Sequence, residues 1–402
     1  MMHILAIARL YLAFQAAEAF LDQGIGLLEK GRFADAAAFL TQAIEKNPKL
    51  AEAHYLLGLI RQERGDRDLA LQSFRSALNL DPRHAPAQAR LAEVLTYVAR
   101  ASESGYPEAA AACRRALALN PSDADSHFHL AWIEAALGRH GEATTHYRTA
   151  LNLQPKYPGA SIGLAKALLE LRQENAALAL LLQLVRDEPK NPDAHLYYGV
   201  ALSRKDRCAD AVSAFEKTVA LRPATAQAHY LLGNCYRKLG QDVAATRALA
   251  KYRELQSASA KLQQARFQAA AAHKHLQAGQ LEEAIVGYHA SLAMDDDPNV
   301  AIDLAVALMK NGAPHQVPEL LQPIAESSPL AAYTLALAYR DLNRSRDAES
   351  LLTGALKAKP DFAEAHYLLG AIYFAAGRTE AARHHLGTAA KLRPDNPAFR
   401  TR

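Results

Sequence analysis

The chain has 402 residues, with 46 Lys and Arg against 42 Asp and Glu for a formal charge of +4, and half of it is apolar. That apolar fraction excludes a disordered chain. A near-balanced charge without any basic run of five to eight residues argues against nucleic-acid or lipid-headgroup binding. The three cysteines, Cys113, Cys208 and Cys235, are too few and too widely spaced for a disulfide framework or a paired-cysteine metal or redox motif.

Residues 1–16 (MMHILAIARLYLAFQA) form the one candidate targeting segment. Arg9 interrupts the apolar stretch and no basic residue precedes it, which favours an N-terminal packing helix. The small residues Ala16, Ala17 and Ala19 resemble a signal-peptide cleavage region. The compartment stays open between the cytoplasm, which is slightly favoured, and export. No run of eighteen apolar residues occurs elsewhere, so no membrane span is expected.

From residue 17 onward the sequence repeats. The hexapeptide AHYLLG begins at Ala53, Ala228 and Ala365, and AHLYYG begins at Ala194. Pro48, Pro82, Pro121, Pro155, Pro189 and Pro223 stand 34, 39, 34, 34 and 34 residues apart, and Pro329, Pro360 and Pro394 continue at 31 and 34. In GRFADAAAFLTQAIEKNP, residues 31–48, Gly31 marks a turn, Ala36 a close helix crossing, and Pro48 the end of a second helix. With this pattern the chain resembles the tetratricopeptide repeat (TPR) family, whose unit is a 34-residue helix–turn–helix. The resemblance covers residues 17–394 and implies an all-α fold, a right-handed α-solenoid or superhelix of about eleven repeats. Small residues at Gly58, Ala92, Ala131, Ala165, Gly199, Gly233, Ala305, Ala336 and Gly370 are expected where paired helices approach closely.

Three departures from the period matter. The third repeat carries five extra residues around Ala99–Ser104, predicting a protruding loop. The stretch from Val243 to Ala278 has neither Gly nor Pro and reads either as two helices broken near Ser257–Ser259 or as one. It sets the expected organisation: a terminal segment 1–16, repeats one to seven over 17–255, a seam at 256–264, repeats eight to eleven over 265–394 and a tail at 395–402. No capping helix follows Pro394, so the last repeat is a candidate for self-association.

The resemblance further implies a binding groove lined by the first helix of each repeat, with its fifth, ninth, twelfth and thirteenth positions facing inward. Those positions supply the candidate groove residues Tyr55, Leu59, Phe128, Trp132, Lys166, Arg204, Tyr230, Arg237, Tyr333, Arg340 and Tyr367, with Asn234 beside them. The acids Glu29, Glu63, Glu93 and Glu170 fall early, so the groove reads as acidic and apolar first and more basic from Arg204 onward. Aromatic anchors and cations suit a carboxylate-bearing protein or peptide partner. The alternative for the fifth-position aromatics is plain inter-helix packing. The family's clamp for acidic C-terminal peptides is echoed only by Asn234 and Arg237.

Nothing in the sequence predicts catalysis, a cofactor or a metal. Gly159-Ala-Ser161-Ile-Gly163 matches a hydrolase nucleophile elbow in letters only, because Ser161 falls inside a helical repeat with no strand before it. No two of the sixteen histidines stand three or four apart, the spacing a helical ligand pair needs. His54, His127, His195, His229 and His366 share the fourth position and read as packed, hydrogen-bonded residues. Asp295–Asp297 reads as a solvated loop. The predicted function is a non-enzymatic protein-interaction scaffold. The alternative is an exported accessory or assembly subunit of an envelope or secretion complex.

Overall fold

The computed structural model describes residues 2–157, 159–394 and 396–399, and these residues form helices, turns and loops with no strand among them. The chain divides into two lobes, Met1–Tyr252 and Arg253–Arg402. The first contains α1 (Met2–Glu29), α2 (Phe33–Lys46), α3 (Ala51–Glu63), α4 (Arg67–Leu80), α5 (Ala85–Ala99), α6 (Tyr106–Leu119) and α7 (Ala124–Ala136). It continues with α8 (His140–Leu153), α9 (Ala160–Glu170), α10 (Glu174–Asp187), α11 (Pro192–Arg204), α12 (Cys208–Leu221), α13 (Ala226–Lys238) and the start of α14 (Asp242–Gln277). The second lobe holds the remainder of α14, then α15 (Leu281–Leu292), α16 (Pro298–Lys310), α17 (Val317–Leu321), α18 (Pro329–Asp341), α19 (Ser345–Ala358), α20 (Ala363–Ala375) and α21 (Thr379–Leu392).

Within each lobe consecutive helices pair as the repeat predicts, and a single helix could not bury its apolar stripe alone. The turn at Gly31 adopts φ 69°, a conformation glycine reaches without strain. Ala36, Leu40 and Ala43 of α2 are fully buried, with Ala53 and Ile60 of α3 in the same cluster. Asn191 caps α11, its side chain accepting from the backbone N–H groups of Asp193 and Ala194, and Pro192 occupies the first helical position.

The small residues sit at the crossings. A β-carbon on Gly58 would stand 2.5 Å from the Phe74 ring, and one on Gly199 would stand 2.6 Å from Phe215. Ala92, Ala131, Ala165, Ala305 and Ala336 are fully buried. Two open questions resolve. Residues 242–277 are one helix, because nothing in them supplies a helix breaker and the serines at 257 and 259 lie exposed. The extra residues of the third repeat form a short 3₁₀ turn at Glu103–Gly105 leading into α6.

The last repeat carries part of the tail. A 3₁₀ turn at Pro397–Phe399 lays Phe399 against Ala363 and Ala389 and 5.0 Å from the Tyr367 ring centroid, leaving Phe399 buried. Tyr333 meets Phe362 in the same way at 5.2 Å one repeat earlier. The apolar end of the last repeat therefore holds an aromatic residue from its own tail.

Every fourth-position histidine makes one repeated bond. The Nε2 atoms of His54, His127, His195, His229 and His366 lie 2.9–3.1 Å from the carbonyl oxygen of the proline six residues earlier. A carbonyl only accepts, so each Nε2 carries a proton and donates. Two of these rings meet a second histidine through their remaining nitrogens, His127 with His146 at 3.0 Å and His366 with His385 at 2.8 Å. A hydrogen bond between the two Nδ1 atoms then needs a proton on one of them.

Burial, reinforced by the facing His127, lowers the pKa of His146, and burial with His366 and His384 lowers that of His385. Burial lowers His129 as well. The unfolded chain therefore binds more protons once the pH drops below about 6.5. Stability is fully present above that value and is lost as the pH falls toward the depressed folded values. The protein is expected to melt at a lower temperature at pH 5.5 than at pH 7.5. Substituting His146 and His385 with Gln should flatten that dependence, and an unchanged melting curve in the wild type would contradict it.

Candidate functional site

Three successive first helices of the first lobe, α7, α9 and α11, surround a pocket of about 690 Å³. The repeat period brings its wall together. Phe128 and Ile162 stand at the same position of neighbouring repeats, as do Trp132, Lys166 and Val200, and all five line the pocket. Tyr197, Glu170 and Arg204 complete that face, while Tyr147 and His140 enter from α8.

Tyr147 reaches the pocket because Gly163 has no side chain: a β-carbon there would overlap the Tyr147 ring. The equivalent aromatic residues Phe74 and Phe215 instead fill the space beside Gly58 and Gly199 in their own repeats. Tyr147 is 2% exposed, and burial raises its phenol pKa. Its ring meets Phe128 at 5.9 Å and 60°, an edge-on arrangement favoured by aromatic quadrupoles. Phe128 also packs on Tyr157 at 4.8 Å, whose hydroxyl donates to Asp125 Oδ1 at 2.6 Å.

Arg100 comes from the insertion. Its guanidinium carbon lies 4.8 Å from the Tyr97 ring centroid and 4.6 Å from that of Trp132. Lys166 Nζ lies 5.4 Å from the Tyr197 centroid. Both are cation–π contacts that hold long side chains in place. Arg204 is committed to Glu170 at 2.9 Å and to the carbonyl of Leu169. On the same helix as Trp132, the buried carboxylate of Glu134 accepts from Arg114 and Arg139.

Of the twelve candidate groove residues, Phe128, Trp132, Lys166 and Arg204 therefore come together in one pocket. The others lie elsewhere. Tyr55 packs between Phe74 and His84, and Leu59 lies on the same core cluster. Tyr230 is 45% exposed beside Tyr252, with half-buried Asn234 and exposed Arg237 further along α13. Tyr333, Arg340 and Tyr367 belong to the second lobe, where Tyr333 and Tyr367 stack on Phe362 and Phe399 and Arg340 pairs with Asp341 at 2.8 Å. Tyr55, Phe128, Tyr333 and Tyr367 each meet an aromatic or imidazole ring from the loop or turn that follows their repeat. Tyr230 has no such loop, since α14 runs on through that position.

Sequence reasoning missed Arg100, Tyr147, His140 and Tyr197. The five-residue insertion signalled Arg100, and Gly163 at a position that elsewhere carries a side chain signalled the opening that Tyr147 fills. The Gly159–Gly163 stretch holds no nucleophile elbow: Gly159 precedes α9 with φ 77°, and Ser161 lies in that helix's first turn. Asp297 caps α16, its side chain accepting from the Asn299 N–H.

Sequence models of the tetratricopeptide repeat match residues 21–87, 98–161, 201–262 and 333–397, and another matches 134–197. The chain belongs to the tetratricopeptide repeat family. Among curated proteins it is similar to the Homo sapiens protein O-mannosyl-transferase TMTC3, at 25% identity over 54% of this chain and 24% of that protein. It is also similar to the Escherichia coli cytochrome c-type biogenesis protein CcmH, at 34% identity over 28% of this chain and 33% of that protein. The Pseudomonas aeruginosa type IV pilus assembly protein PilF shares 24% identity over 40% of this chain and 62% of its own length. The sequence spans less than two thirds of each of these relatives.

Among solved structures, Pseudomonas aeruginosa PilF aligns at 22% identity and a TM-score of 0.45, covering 54% of this chain and 96% of that one. YrrB, described as a TPR protein with an unusual peptide-binding site, aligns at 22% identity and a TM-score of 0.40 over 46% of this chain and 94% of that one.

No helix among the described residues is long and apolar enough to cross a membrane.

Proposed function

We propose that the protein is a non-enzymatic interaction scaffold whose first lobe holds an extended segment of a partner protein against α7, α9 and α11. The supporting observation is the pocket where Phe128, Trp132, Lys166 and Arg204, contributed by three successive repeats, converge. A volume of about 690 Å³ is in the range of pockets that receive side chains or small ligands. Its walls combine aromatic area with fixed cations, the composition of an energetic centre in a protein interface. Rings and cations already held by their neighbours lower the ordering cost of binding.

Partners captured from the source cell by the wild-type protein and by a Trp132→Ala/Lys166→Glu variant test this reading. A group of partners lost by a variant that melts like the wild type is expected. An identical partner set would place binding away from the pocket.

A second reading, an assembly or accessory subunit working outside the cytoplasm, is favoured by two relatives named for type IV pilus assembly and cytochrome c-type biogenesis. Recovery of envelope-complex subunits in the same capture supports it, and an exclusively cytoplasmic partner set counts against it.

A further inference from the structure

We propose that the histidine pairs His127–His146 and His366–His385 are each a binding site for an imidazole-seeking divalent transition ion such as zinc. The sites lie on the helix pairs α7/α8 and α20/α21 and do not depend on what the pocket binds.

The first support is geometry. A helical ligand pair read from sequence stands three or four residues apart on one helix. These ligands stand 19 residues apart on two helices, so only the folded repeat brings them together. In both pairs the two Nδ1 atoms face each other, 3.0 Å apart in the first and 2.8 Å in the second. The rings repeat one arrangement, with centroids 5.2 and 5.0 Å apart and planes at 33° and 32°. Two imidazole nitrogens on a tetrahedral zinc ion, each bonded at about 2.0–2.1 Å, stand about 3.3 Å apart. Each pair therefore needs to open by only a few tenths of an ångström.

The second support is orientation. The Nε2 of His127 donates to the Pro121 carbonyl at 3.0 Å, and that of His366 donates to the Pro360 carbonyl at 3.1 Å. A proton held on Nε2 leaves the Nδ1 of a neutral ring with a lone pair, which is what a metal binds. Metal-bound histidines almost always donate their other ring N–H to a carbonyl, carboxylate or water. Without an ion, the contact between the two Nδ1 atoms needs one proton between two lone pairs. The ion takes the place of that proton, which passes to the second ring's Nε2 or to water.

The third support is the comparison among repeats. The residue nineteen positions after the fourth-position histidine is Ser73 for His54, Ala214 for His195 and Ala248 for His229. A small side chain therefore serves the repeat at that position, and His146 and His385 add nitrogen where packing asks for none. Among the described residues no third His, Cys, Asp or Glu joins either pair. Each ion accordingly keeps open positions for water. Glu142, one turn before His146 on α8, offsets part of the charge, and the neighbouring Arg114 is neutralised by Glu134. Imidazole suits zinc, copper and nickel, whereas magnesium and calcium require oxygen ligands.

The test titrates chelator-stripped, full-length protein with zinc chloride in a calorimeter. Two saturable equivalents are expected, and none with magnesium chloride. His146→Ala and His385→Ala should each remove one equivalent, and the double variant should remove both. Alanine already occupies that position in two other repeats, so the variants are expected to keep the wild-type helical circular dichroism. Glutamine at the same two positions keeps side-chain bulk without an imidazole nitrogen and should give the same losses. His195→Gln, which removes a fourth-position histidine that has no histidine partner, should leave both equivalents in place. Zinc should also raise the melting temperature of the wild type and leave that of the double variant unchanged.

Zinc binding that survives in the double variant would assign it to other histidines and overturn the proposal. The absence of saturable binding by the stripped wild type would overturn it as well.

Discussion

Replacing Arg114 and Arg139 together with alanine is expected to destabilise the first lobe strongly. Glu134 is 1% exposed, and its two carboxylate oxygens accept from those two guanidiniums, Arg139 at 2.8 Å. Removing both donors strands a buried charge, and breaking a buried pair from one side costs roughly 3–5 kcal/mol. The guanidiniums are themselves about half exposed. Water therefore screens part of the interaction, and the lower end of that range is expected. Adding Glu134→Gln should recover part of the loss, because the amide removes the charge and keeps the shape. Urea denaturation of the three proteins measures this. A loss under about 1 kcal/mol, or no recovery with Gln, would show that Glu134 does not depend on the arginines.

Gly199→Leu carries the second large effect. A β-carbon at this position would already stand 2.6 Å from the Phe215 ring, and leucine adds three further carbons. Phe215 is fully buried and cannot retreat into solvent. Overpacking of this kind costs about 1–3 kcal/mol. The cost has a named partner, so the double variant Gly199→Leu/Phe215→Ala should be less destabilised than the two single changes added together. Strict additivity would mean that the two residues do not limit each other. Gly387, which has nothing near its missing β-carbon, provides the contrasting site.

The architecture was legible in the sequence because a 34-residue period is written in prolines, small residues and the AHYLLG hexapeptide, each enforced by local geometry. Pro192 and Asn191 start α11, Gly31 turns the chain, and Gly58 admits Phe74; none of these needs knowledge of distant contacts. The histidines were legible for the same reason, since each bonds a proline carbonyl six residues away. The long helix was undecided in the sequence because serine neither favours nor forbids a helix strongly, and only the run as a whole settles it.

The candidate site was legible by half. Phe128, Trp132, Lys166 and Arg204 follow from periodic position alone. Whether a fifth-position aromatic lines a pocket or packs against the following loop depends on the residue found there. Tyr55 has His84 and Tyr333 has Phe362. Arg204 read as a free cation, but Glu170 from the preceding repeat neutralises it. The cation that replaces it, Arg100, lies outside the period altogether. Tyr147 belongs to a second helix, and it reaches the pocket because the next repeat has Gly163 opposite its ring. Contacts of this kind depend on pairs of residues in neighbouring repeats, which a one-repeat register does not compare.

Trp132 is the sole tryptophan of the protein and lines the pocket, so its fluorescence reports that place and no other. The decisive titration adds a segment of a partner captured by the wild-type protein to the full-length protein and follows tryptophan emission beside heat of binding. Binding at the pocket predicts a saturable change in Trp132 emission whose midpoint agrees with the calorimetric dissociation constant and which weakens in Lys166→Gln. Calorimetric binding of the same peptide with Trp132 emission unchanged would contradict it and move the functional surface elsewhere on the repeats.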